Sequence, residues 1–126
     1  MKSSDINQLL SGNFSVRDLQ LTINDEVSTY AILMEKKGSS VPLIFYEDEE
    51  IFLNDTNIKI LLQETLSGDL SNVHLAYIFD CFTSGEKVRF ETEQVKEIIY
   101  EIADPEINGG YKSNKQLQDL ISNINK

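Results

Sequence analysis

The stretch Leu19-Gln20-Leu21-Thr22-Ile23-Asn24-Asp25-Glu26-Val27-Ser28-Thr29-Tyr30-Ala31-Ile32-Leu33-Met34 decides the fold, because two periodicities compete within it. Leu19, Leu21 and Ile23 alternate with polar residues, and Tyr30, Ile32 and Met34 also recur at every second position. Alternation of this kind is the signature of a half-buried strand. Val41, Leu43 and Phe45 continue it beyond the stretch, with Asn24-Asp25 and Lys37-Gly38-Ser39-Ser40 as turns between the runs. The pattern predicts a small antiparallel sheet in the first half. Val27, Tyr30, Ala31 and Met34 also fit helical spacing, so the second run stays open between strand and helix.

Outward from this stretch the reading is helical. Upstream, Ser4 suits the cap of a short helix carrying Ile6, Leu9 and Leu10, with Gly12 as its stop. Downstream, Asp55 or Thr56 opens a helix whose apolar face is Ile58, Leu61 and Leu62 with Thr65, ended by Gly68. Ser71 or Asn72 starts the next, which runs to about Phe82. Thr92 caps a third with Val95, Ile98, Ile99 and Ile102 on one side, and Asp104-Pro105 breaks it. Ser113-Asn114-Lys115-Gln116 has capping-box form and opens a last helix with Leu117, Leu120, Ile121 and Ile124 inward. The expectation is an α+β fold: a single domain over residues 1–126, with the first-half sheet packed against about four helices of the second half.

Composition narrows the function. Twenty-one acidic residues stand against 11 basic ones, for a formal charge of -10. Such a surface repels duplex nucleic acid and anionic lipid, so neither is expected as a partner. No apolar run approaches the roughly 18 residues a membrane span needs. Met1-Lys2-Ser3-Ser4-Asp5 has no apolar segment after it and does not read as a signal peptide. One cysteine permits no internal disulfide, which suits the cytoplasm. No internal repeat or low-complexity tract is visible.

Catalytic patterns are missing. The chain has no Gly-x-Ser-x-Gly elbow, no phosphate loop and no Gly-x-Gly-x-x-Gly. Asn108-Gly109-Gly110 reads as a turn. His74 and Cys81 lie two helical turns apart, about 10 Å, too far for a catalytic hydrogen bond. They also supply too few ligands for zinc, and the acidic run lacks calcium-loop spacing, so no metal or other cofactor is expected. The segment Val73 to Phe82 is apolar nearly all round and should lie at the centre of the domain. Asp80 within it should cap a neighbouring helix or accept a tyrosine hydroxyl, since an unpaired buried carboxylate is costly.

Two acidic patches remain. The run Glu47-Asp48-Glu49-Glu50 lies in a stretch with no base between Lys37 and Lys59, and reads as a solvated hairpin tip or edge. On the helix after Thr92, Glu93, Glu97 and Glu101 fall opposite the apolar face at i, i+4 and i+8, where like charges repel. Tyr100 projects into the same polar face, where packing does not require it. A tyrosine among carboxylates is a common composition for an interface anchor.

Tyr77-Ile78-Phe79-Asp80-Cys81, then Phe90, Val95 to Ile102, and Ala103-Asp104-Pro105-Glu106-Ile107-Asn108-Gly109 resemble small bacterial immunity proteins of polymorphic toxin systems, including contact-dependent growth inhibition. The resemblance covers about 35 residues of the second half. It implies a non-enzymatic protein that binds a cognate toxin domain, often a nuclease, in the cytoplasm and occludes its basic surface. The expected partner is therefore a basic toxin domain, met by a protein that is monomeric when free. Glu47, Asp48, Glu49, Glu50, Glu93, Glu97, Tyr100 and Glu101 are the candidate partner-binding residues. The alternative is an adaptor or self-assembling subunit of a phage or secretion-related system.

Overall fold

A computed structural model describes residues 1–36, 42–105 and 108–124. Among the described residues the chain is mostly helical. Its elements run α1 (Ser3–Leu10), α2 (Val16–Met34), β1 (Ile51–Leu53), α3 (Asp55–Leu66), α4 (Asn72–Ser84), β2 (Val88–Phe90), α5 (Glu93–Ile102) and α6 (Asn114–Ile124).

Among the described residues the expected antiparallel first-half sheet is not there. Leu19 to Met34 forms most of one 19-residue helix, α2, whose N-cap Ser15 accepts the Asp18 backbone N–H. Leu19, Ile23, Val27 and Tyr30 are buried at i, i+4, i+8 and i+11, a complete helical stripe. The alternation arose from Leu21 and Ile32, which are 67% and 59% exposed. Asn24 and Asp25, expected as a turn, sit on the solvent face of α2. The Lys37-Gly38-Ser39-Ser40 turn and Val41 lie outside the described residues. Leu43 and Phe45 pack against the core from an irregular segment, and Tyr46 makes a single parallel bridge to Lys2.

The small sheet that does form is parallel. β1 pairs with β2 in the register Ile51↔Val88, Phe52↔Arg89 and Leu53↔Phe90. Ile51 N–H reaches the Lys87 carbonyl and Glu91 N–H the Leu53 carbonyl, each at 2.9 Å. Parallel strands need a long crossover. Here it is α3 followed by α4.

The second-half helices form where capping and periodicity agree. α3 is capped one residue earlier than expected, by Asn54, in a reciprocal box with Asn57. Ser71 caps α4, Thr92 caps α5, and Ser113 exchanges bonds with Gln116 at the start of α6. α4 is the central element: every residue from His74 to Phe82 is buried, and it packs on α2, α3 and α5. α6 closes over α3, and α1 lies against α2 and β1.

Candidate binding surface

The two acidic patches have different structural duties. Asp48 caps α1 from 44 residues away: Oδ1 accepts the Ser4 N–H and Oδ2 the Ser4 hydroxyl, at 2.9 and 2.6 Å. The Ser3 hydroxyl also reaches Oδ1 at 2.9 Å. These bonds, the Ser4 hydroxyl foremost, hold the Asp48 carboxyl at about 2, below its ordinary 3.8. Glu47 accepts the N–H groups of Glu86 and Lys87, at 3.1 and 2.8 Å, clipping the turn between α4 and β2. Asn7 Nδ2 donates to Glu49 Oε1 and to the Glu50 carbonyl. The run is therefore a connector fastened to α1 and to the α4–β2 turn, not a free hairpin tip. Of its four side chains, only that of Glu50 takes no hydrogen bond among the described residues.

The α5 ridge is different. Val95, Ile98, Ile99 and Ile102 are buried, while Glu93, Glu97 and Glu101 are exposed along the opposite side. Among the described residues no ion pair neutralises any of the three. Tyr100, 45% exposed, stands with them. Its ring is not idle, contrary to expectation: it packs edge-on against Phe90 at 6.4 Å between centroids, and Lys96 Nζ lies 5.7 Å from its centre. The half-exposed ring is thus packed against β2 on one side and lies beside a cation of its own helix.

Beyond the C-terminal end of this ridge is a hollow of about 410 Å³ lined by Asp80, Thr83, Tyr100, Ala103, Asp104 and Asn108. Asp80 accepts the Tyr30 hydroxyl on Oδ2 and the Asp104 N–H on Oδ1, at 2.5 and 2.6 Å. The expectation of a tyrosine donor for Asp80 holds. Burial, opposed by those two bonds and reinforced by the charge of Asp104, raises its carboxyl above the ordinary range. Asp104 adopts a left-handed backbone with φ of 51°, and the extended ψ of 156° at Ala103 before it turns the Asp104 N–H out of the helix to Asp80. Asn108 folds back under the end of α5, its amide donating to the Tyr100 and Ala103 carbonyls. Asp104, Asn108 and Thr83 were not singled out from the sequence as site residues. Asp104-Pro105 reads as a helix break and Asn108-Gly109 as a turn, and only those breaker signals mark the place.

A second hollow, of about 360 Å³, lies between the start of α2 and the end of α3 and contains Arg17, Glu64 and Asp69. Its cation already faces Asp69 at 3.8 Å.

The remaining reactive groups are packed away. Burial pushes the Cys81 thiol up to about 12, which makes it a poor nucleophile. His74 receives or gives one bond, with Ser71 Oγ, and its Nε2 makes none. Among the described residues no group of three or more histidine, cysteine or acidic side chains is placed to hold a metal ion. Nor is any described helix long and apolar enough to cross a membrane. No protein-family model, characterised protein or solved structure matches the chain.

Proposed function

We propose that this protein is a cytoplasmic immunity protein that binds a basic toxin domain, its α5 ridge forming the centre of the contact. The observation that carries the reading is the row Glu93, Glu97 and Glu101, exposed and without ion pairs among the described residues, beside the immobilised ring of Tyr100. Like charges at i, i+4 cost a helix a few tenths of a kcal/mol per pair. A cationic surface would convert that cost into attraction, speed encounter and fix orientation. Tyr100, already ordered by Phe90, would lose little side-chain entropy on desolvation and so suits a hot spot.

Glu47, Asp48 and Glu49 contribute less in this reading, because their carboxylates are engaged within the fold. Glu50 remains open to a partner. Nothing in the reading asks for catalysis or a cofactor.

The test is co-purification with the product of the gene immediately upstream, at low and high salt. The expected result is a one-to-one complex of a protein that is monomeric when free. Reversal of Glu93, Glu97 and Glu101 to lysine should abolish the complex while circular dichroism is unchanged. A complex indifferent to both salt and charge reversal would rule out the electrostatic contact. A stable homo-oligomer in light scattering would instead favour the adaptor or self-assembling alternative.

A further inference from the structure

We infer that Asn108 is a site of spontaneous deamidation, and that its conversion releases the C-terminal end of α5 irreversibly. This chemistry holds whether or not the ridge meets a partner.

Of the chain's asparagines, only Asn108 is followed by glycine. Glycine carries no Cβ, so its backbone nitrogen is the least shielded nucleophile a neighbouring carboxamide can meet. Gly109 is exposed with φ of 84°, and a Cβ built on it would touch nothing within 4 Å. Both the attack and the water that follows it therefore have room. No electrons change hands in the reaction. The Gly109 nitrogen attacks Asn108 Cγ, the Cγ–Nδ2 bond breaks, and Nδ2 departs as ammonia with the Gly109 proton. Water then opens the cyclic imide at either of its carbonyls, which leaves aspartate or isoaspartate.

The departing nitrogen is the one that fastens the end of α5. Nδ2 donates to the Tyr100 carbonyl at 2.9 Å and to the Ala103 carbonyl. Both partners are acceptors, so the amide must present its nitrogen to them. The last carbonyls of a helix lack partners within it, and Asn108 supplies them here. Expelling Nδ2 severs both bonds, so conversion passes through a local opening of this end. The product cannot close it again. A carboxylate only accepts, and it would face two carbonyls at the negative end of the helix dipole. Asp80 and Asp104 line the same hollow and add like charge. Isoaspartate also inserts an extra carbon into the backbone between residues 108 and 109. Tyr100 and Glu101 lie in the turn that loosens.

Trypsin releases residues 97–112 as one peptide, in which Asn108 is the only asparagine. The full chain is held at mildly alkaline pH with and without urea, digested, and followed by chromatography and mass spectrometry. That peptide should exchange amide mass for hydroxyl mass and split into two isomers, more slowly in native buffer than in urea. Chains carrying the change should unfold at a lower urea midpoint. Asn108→Asp should reproduce that shift. It should also fall below Asn108→Ala at neutral pH, with the gap closing at acid pH where the carboxyl takes its proton. No conversion in native buffer, conversion there as fast as in urea, or an unchanged midpoint after conversion would overturn the assignment. Asn108→Asp no less stable than Asn108→Ala at neutral pH would remove the charge clash on which irreversibility rests.

Discussion

The Tyr30 hydroxyl donates to Asp80 Oδ2 at 2.5 Å, joining α2 to α4 where a carboxylate would otherwise stand poorly paired inside the domain. The two residues also carry part of the core, since Tyr30 meets the Tyr77 ring edge-on at 5.3 Å. Tyr30→Phe keeps that packing and removes one of the two donors to the Asp80 carboxyl, leaving the Asp104 N–H. Leaving a buried acceptor short of a donor costs about 1–3 kcal/mol. Urea denaturation should show that loss, and Tyr30→Phe should cost much less in an Asp80→Asn background. Because burial raises the Asp80 carboxyl above 3.8, the native state holds its proton more tightly than the unfolded chain. The associated stability is fully present below pH 3.8 and is lost as pH rises through the native value. Asp80→Asn should abolish that slope.

Asp48 should behave in the opposite sense. Its carboxyl is held at about 2 against an ordinary 3.8, so the stability it contributes is present above pH 3.8 and lost as pH falls through about 2. Asp48→Asn should therefore lower the melting temperature at neutral pH, with the gap from the native chain closing toward pH 2. Differential scanning calorimetry across that range is the measurement. A charge scan that treats the run from Glu47 to Glu50 as one binding patch would mistake this loss of α1 anchoring for loss of a contact.

Gly85 is required for space rather than for backbone freedom. A Cβ there would lie 2.7 Å from both Glu47 Oε1 and Val88 Cγ2, and 2.9 Å from Phe45 Cε2. Glu47 cannot swing aside without releasing the Glu86 and Lys87 N–H groups, and a β-branched valine has few rotamers. Gly85→Ala should cost about 1–3 kcal/mol, the usual range for overpacking, seen as a lower urea midpoint. Glu47→Ala in the same chain should recover part of it.

How much of this was legible depends on whether the information is local. The α5 ridge could be oriented from sequence because Thr92 marks its start and four apolar residues mark its buried side. α6 was readable for the same reason, through Ser113 and Gln116. α2 was misread because two exposed apolar residues, Leu21 and Ile32, completed a period of two around a stripe whose true period is 3.6. Their exposure is a tertiary fact that no window of sequence contains. The pairing of Ile51–Leu53 with Val88–Phe90 and the capping of α1 by Asp48 are likewise contacts across dozens of residues. The hollow was invisible because it depends on Asp104 turning left-handed and Asn108 folding back.

His74 offers a clean titration because it is the chain's one histidine. It is 7% exposed, with Nδ1 2.5 Å from Ser71 Oγ and Nε2 without a bond, though the Gln20 backbone lies near enough to oppose part of the shift. Burial lowers its pKa below 6.5, so the native state binds a proton less readily than the unfolded chain. The stability tied to the neutral ring is present above pH 6.5 and lost as pH falls through the lowered native value. Asp80 slopes the other way, so an Asp80→Asn background isolates the histidine. In that background the urea midpoint should fall between about pH 7 and about pH 5, and His74→Phe should flatten the fall. Phenylalanine deletes the orphaned nitrogen, so the cost of losing the Ser71 bond should be partly offset. An unchanged slope in the phenylalanine variant would place the titrating group elsewhere.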